Sequence, residues 1–197
     1  MSRLFELDQL TVRARKDSQL TRSKEYDLLD QAGAAVGSAT QNTGSAASVV
    51  RRQVAPSRAL MPADFDVRDG SGLVLAHVTK RVTGILRRRL RTEVSLPDAT
   101  VIAVASSSPG AARFAVTDPS GTAVARLGRA GRTFLAVTGP NRESYGAVDL
   151  ATNTASARRA GTASPNSYLI RFEPATPQAV RIATLAVVVV FDSLRGA

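Results

Sequence analysis

The stretch Ala179-Val180-Arg181-Ile182-Ala183-Thr184-Leu185-Ala186-Val187-Val188-Val189-Val190-Phe191 decides how the rest of the chain must be read. Wound as a helix or drawn out as a strand, it is apolar on nearly every side, so it has to be enclosed on all faces. Arg181 interrupts it, Asp192 closes it, and it falls short of the roughly 18–20 apolar residues that cross a bilayer. It reads as the core element of a soluble fold. Four consecutive valines favour a strand, because β-branched side chains suit a pleated surface. Thr176-Pro177 just upstream favours a helix start, with Thr as cap and Pro at the first helical position, and Gly196 is placed for a stop. Residues alone leave the two readings balanced.

Upstream, three segments share one pattern: aromatic, x, apolar, x, Asp, x, x, Gly, x, x, apolar, small. They run Tyr26 to Gly37, Phe65 to Ala76 and Phe114 to Ala125. Each is a β-hairpin in physical terms. Asp at the first turn position bonds to the backbone ahead of it, and Gly at the fourth accepts the left-handed geometry. Asp30, Asp69 and Asp118 are therefore turn formers before they are metal ligands. After each turn come the small residues Gly37, Ala76 and Ala125, then Ala39, Val78 and Leu127 on the same strand face. Alternation puts Ser38, His77 and Arg126 on the opposite face. Val94-Ser95-Leu96-Pro97-Asp98 reads as a fourth copy without the Gly.

Other alternating stretches predict strands near Leu4 to Val12, Glu93 to Leu96, Thr100 to Ala105, Thr133 to Thr138, Tyr145 to Leu150 and Ser167 to Phe172. With two strands from each hairpin the total is about twelve. Twelve strands and one apolar segment favour a closed sheet wrapped around that segment, since closure removes exposed edges. Asn42 to Ala63, Ser106 to Gly110 and Ala151 to Pro165 have loop compositions.

This order of hairpins, closing on Arg181 to Phe191, resembles the tubby C-terminal-like superfamily, in its phospholipid scramblase and LURP-one-related branch. The resemblance spans roughly Leu4 to Leu194. It implies a single domain, residues 4–195: a mainly β, twelve-stranded antiparallel β-barrel enclosing a hydrophobic C-terminal α-helix at about 177–194, which tips the balance to helix. Family members bind anionic headgroups or respond to calcium. The segment before the terminal helix, Phe172-Glu173-Pro174-Ala175-Thr176-Pro177, carries one carboxylate, whereas calcium takes several oxygen ligands from closely spaced acids. No calcium or other cofactor is expected.

The formal net charge is +10 and three of the 26 cationic side chains are Lys. An anionic partner is one reading of such a surface, and Arg-rich codon usage is the other. The densest cluster is Lys80-Arg81-Val82-Thr83-Gly84-Ile85-Leu86-Arg87-Arg88-Arg89-Leu90-Arg91, six cations and no acid in twelve residues. Arg51, Arg52, Arg129 and Arg132 are candidate helpers. Arg forks pair well with phosphate and each cation near a charged bilayer contributes about 1 kcal/mol. The expected partner is an anionic membrane lipid surface, bound peripherally with no transmembrane span. The alternative is an interaction module docking an acidic protein. Nucleic acid would be bound only nonspecifically, because aromatics make up just 5% of the chain and sit mostly at hairpin positions.

Enzymatic chemistry finds few residues to carry it. There is no Cys, His77 is the one histidine, and neither a Walker loop nor a Rossmann fingerprint is present. Met1 to Asp8 contains acids where a signal peptide needs an apolar run, so a cytoplasmic location, extending to the inner face of the membrane, is the expectation.

Overall fold

The computed structural model describes residues 3–15, 24–42, 62–83, 89–107, 113–131, 133–150 and 167–195. The described strands are β1 (Gln9–Ala14), β2 (Glu25–Leu29), β3 (Ala35–Asn42), β4 (Ala63–Asp69), β5 (Val74–Thr83) and β6 (Arg89–Ser95), followed by β7 (Val101–Ser107), β8 (Arg113–Thr117), β9 (Ala123–Arg129), β10 (Phe134–Thr138), β11 (Ser144–Asp149) and β12 (Ser167–Phe172). Each strand pairs antiparallel with its neighbours in sequence, and β12 closes on β1 to complete the barrel. The predicted strand at Leu4 to Val12 is corrected at its start. Arg3–Glu6 form a 3-10 turn, which lets the adjacent Leu4 and Phe5 both be buried, whereas a strand would turn one of them outward.

The terminal stretch is helical: α1 (Gln178–Arg195) runs through the barrel, with every residue from Val180 to Val190 buried. The valine propensity loses for a definite reason. A closed barrel has no edge to pair with a thirteenth strand, and a helix satisfies its own backbone donors and acceptors in an apolar lumen. Burying each valine contributes roughly 1.5–3 kcal/mol, far more than its helix propensity costs. The Thr176 hydroxyl, expected to cap the helix, instead donates to the Tyr145 carbonyl at 2.6 Å and ties the helix start to β11. Arg181 clamps the same end. It donates to the carbonyls of Leu7 (2.7 Å), Thr176 (3.2 Å) and Glu173 (3.1 Å) and to Asp8 Oδ1 (3.0 Å), with its guanidinium 5.1 Å from the Phe172 ring centre.

The repeat continues past the three hairpins that are plain in the sequence. Asp30, Asp69 and Asp118 accept the amides of Gly33, Gly72 and Gly121 through their carbonyls, and those glycines have φ of 82°, 90° and 89°. Leu96 and Ala99, then Gly139 and Arg142, make the same turn, with φ of 66° at Ala99 and 67° at Arg142. In all five hairpins the ladder shifts register at the strand residue just before the turn, a bulge of the kind that follows a type I turn closed by a left-handed residue. Lumen positions also recur: Tyr26, Phe65, Thr92, Phe114 and Leu135 are buried in equivalent places. Registered opposite them are Ala39, Val78, Ala105, Leu127 and Val148, and glycine stands where two strands come closest. A Cβ on Gly37 would lie 2.4 Å from the Arg68 carbonyl oxygen, and one on Gly146 would lie 2.1 Å from that of Arg171, so side chains are barred where neighbouring strands crowd.

Candidate anion-binding site

Strand alternation and register decide which cations reach the outer wall. On β5, Ala76, Val78 and Lys80 share the inward face, and Lys80 is 2% exposed with its ammonium donating to Ser193 Oγ at 3.3 Å. Lys80 is therefore an interior residue, which corrects its expected place in the surface array. Arg81 points outward opposite Arg91 on β6, and Arg89 lies two residues along from Arg91 on the same face. Arg91 is the one of these that meets an acid, Glu93 Oε2 at 3.3 Å. Arg129, at the end of β9, is exposed. Arg51, Arg52, Arg87, Arg88 and Arg132 lie outside the described residues, as do the expected loop from Ala151 to Pro165 and most of those from Asn42 to Ala63 and from Ser106 to Gly110, whose ends Asn42, Ala63, Ser106 and Ser107 are corrected to strand residues of β3, β4 and β7.

A groove of about 760 Å³ crosses the outer wall from β7 to β10. Its floor is Ala115, Gly128 and Ala136, with Ser106 and Thr138 at one edge, and Arg89, Arg113, Arg126 and Arg129 around it. Arg113 sits opposite Gly128 and Ala115 opposite Arg126, so Arg113 and Arg126 are diagonal neighbours on one face. Such positions are about 7–8 Å apart, within reach of two long side chains. Among the described residues no carboxylate pairs with Arg89, Arg113 or Arg126, and no acid lines the groove. Alternation places Arg126 outward without assigning it a role, and Arg113 belongs to no sequence motif. The available signal was the outward parity of both residues on strands that contain no acid.

The wall formed by β1 to β4 is different. Arg13 Nη2 lies 3.1 Å from Asp27 Oδ2, Arg15 Nε 2.7 Å from Asp27 Oδ1, and Arg15 Nη1 3.2 Å from Glu25 Oε2. Asp66 binds Arg68 (2.9 Å), Asn42 (2.9 Å) and, from β5, His77 Nδ1 (2.8 Å). Burial pushes the Asp66 carboxyl up, and the hydrogen bonds from Asn42, His77 and Arg68 more than reverse this, so it is held below the usual aspartate range. His77 is thus an outer-wall residue, as alternation predicts, with a structural partner.

A second polar group lies inside, at the C-terminal end of α1. Asp192, 3% exposed, accepts from Tyr168 (2.5 Å), Tyr26 (2.9 Å) and Lys24 (3.1 Å), and the Lys24 ammonium also reaches the Asp192 carbonyl at 3.0 Å. This cluster fixes how far the helix is threaded. Its members come from three separate parts of the chain, so sequence spacing gave no sign of it.

The turn acids have the local duty expected of them. Asp69 accepts Ser71 Oγ at 2.6 Å and the amides of Ser71 and Leu73, and Asp118 accepts Ser120 Oγ at 2.6 Å and the Thr122 amide. The serine hydroxyls first, and then the backbone amides, lower both carboxyls below the ordinary aspartate value. Among the described residues no group of three or more His, Cys, Asp or Glu is placed to hold a metal ion. No described helix is long and apolar enough to cross a membrane.

A closed barrel of twelve antiparallel strands around a C-terminal helix is the general tubby-like plan. No family description, curated protein or solved structure matches this chain.

Proposed function

We propose that this chain is a non-enzymatic protein related to the phospholipid scramblase and LURP-one branch, acting as a peripheral binder of anionic phospholipid headgroups at the cytoplasmic face of a membrane. The observation that supports it is the division of the barrel wall. Arginines on β1 to β4 are matched by carboxylates, while Arg81, Arg89, Arg113 and Arg126, from β5 to β9, have none among the described residues. Unmatched cations clustered on adjacent strands of a rigid wall attract an anionic surface by about 1 kcal/mol each and orient the barrel against it. Screening over a Debye length of about 8–10 Å makes that attraction salt-sensitive.

Co-sedimentation with neutral and anionic vesicles at low and physiological salt tests the reading. The expected result is binding that requires anionic lipid and weakens as salt rises. Absence of sedimentation with anionic vesicles at low salt would remove the lipid reading and leave the arginines to an acidic protein surface.

A further inference from the structure

The groove across β7 to β10 has more shape than diffuse attraction to a charged surface requires. We propose that it is a discrete site for a single phosphate monoester, in which Arg89, Arg113 and Arg126 hold the phosphoryl group and the Ala115–Gly128–Ala136 floor receives the glycerol or sugar-like body carrying it. This rests on the anionic-lipid reading above and narrows the headgroup that the protein selects.

Charge is the first ground. Four arginines, Arg89, Arg113, Arg126 and Arg129, line one groove, and among the described residues no carboxylate lines it. Like charges on diagonal cross-strand positions repel, and a shared anion turns that repulsion into attraction. A phosphodiester offers one negative charge and two free oxygens. A monoester carries about 1.5–2 negative charges near neutral pH and three strong acceptor oxygens, enough to engage more than one planar fork at once.

Shape is the second. A volume of about 760 Å³ is far larger than a bare phosphate and falls in the range of small-molecule sites. The room comes from short side chains. A Cβ built on Gly128 would meet nothing within 4 Å, so the space over the centre of the floor is open. Ser106 and Thr138 put hydroxyls at the groove edge, where a polyol can use them. Thr138 Oγ1 donates weakly to the Arg126 carbonyl at 3.4 Å and keeps its acceptor lone pairs.

The same chemistry reaches the protein from two sources, a monoester lipid headgroup or a soluble phosphorylated polyol. The test uses phosphatidylcholine vesicles doped with phosphatidic acid or with phosphatidylglycerol, adjusted to equal zeta potential, and calorimetric titration with glycerol 3-phosphate. Wild type is compared with Gly128→Leu, which fills the groove, and with the double variant Arg113→Gln/Arg126→Gln. Thermal melting of each variant monitors the fold.

The expected result is a preference of about tenfold or more for phosphatidic acid, the scale of one charge-assisted hydrogen-bond set, lost in both variants while melting is unchanged. Saturable binding of glycerol 3-phosphate that Gly128→Leu abolishes, without vesicle binding, would uphold the groove, assign it a soluble ligand and remove the peripheral-lipid reading. Equal binding to the two vesicle types, or a preference that survives in well-folded Gly128→Leu, would overturn the groove and leave the broader reading in place. Binding of none of the three probes would overturn both.

Discussion

On β1 to β4 each outward arginine finds a carboxylate on an adjacent or near residue, whereas Arg113 on β8 and Arg126 on β9 face a groove that no acid among the described residues lines. The two sectors use the same residue on the same pleated wall. What separates them is the neighbour on the same face, across the strand for Arg13 and two residues back along it for Arg68. Register sets Asp27 opposite Arg13, while it sets Ala115 opposite Arg126 and Gly128 opposite Arg113. A formal net charge of +10 therefore says little about where an anion would bind. The paired sector spends its arginines on the barrel, and the other keeps them available.

The interior offers the harshest way to break this contrast, because both sectors hang on the same helix. Asp192→Ala removes the acceptor of Tyr26, Tyr168 and Lys24 and leaves the Lys24 ammonium, 21% exposed, without its carboxylate. A loss of about 3 kcal/mol in urea unfolding is expected, as for breaking one side of a buried pair. Vesicle binding per folded molecule should be unchanged. A loss well under 1 kcal/mol would mean that packing alone fixes the depth of the helix.

Asp66→Asn sharpens the contrast from the paired side. It removes the charge that joins Asn42, Arg68 and His77, and should lower stability by about 1–2 kcal/mol, with Arg68 exposure limiting the effect. Binding to anionic vesicles should not fall, since no groove residue touches Asp66. A fall in binding at unchanged stability would show that the sectors are not independent.

The smallest effect is on pH. The carboxyls of Asp66, Asp69, Asp98, Asp118 and Glu143 are all held below their ordinary values, chiefly by hydrogen bonds in and near the turns. A depressed folded-state value means that these groups stabilise the fold above the unfolded carboxylate range. That contribution is lost as pH falls through the folded values. The melting temperature should stay level from about pH 7 to 5 and drop below about pH 4. Arginine keeps its charge over this range, so binding to a phosphodiester lipid should persist until the fold is lost, whereas any preference for a monoester should narrow as the ligand takes up its second proton near about pH 6. In Asp118→Asn the drop should be shallower, and an unchanged acid limb would take Asp118 out of the account.

Much of the fold was legible because it is repetitive. The Asp-x-x-Gly turns and the small residues after them survive translation into a one-dimensional pattern. The fourth turn was partly hidden and the fifth wholly so, since Leu96 and Gly139 stand where Asp stands elsewhere, and Ala99 and Arg142 take left-handed geometry that residue type does not announce. Helix against strand could not be settled from Ala179 to Phe191 alone, because the absence of a free sheet edge is a property of the closed barrel. The basic site was legible only in part. Contiguity drew attention to Lys80 through Arg91, although counting parity from Val78 would have sent Lys80 inward. Arg89, Arg113 and Arg126 are distant in sequence and become neighbours only through the β6 to β9 register.

The central claim is that placement of unmatched arginines, rather than total charge, creates the binding surface. The most direct measurement compares anionic-vesicle affinity for two triple variants, Arg89→Gln/Arg113→Gln/Arg126→Gln and Arg13→Gln/Arg15→Gln/Arg68→Gln. Each lowers the formal net charge by three, from +10 to +7. The account predicts that the first loses about 3 kcal/mol of binding, roughly a hundredfold, with its stability intact, while the second loses stability and keeps its affinity per folded molecule. Equal losses of affinity in the two would contradict it.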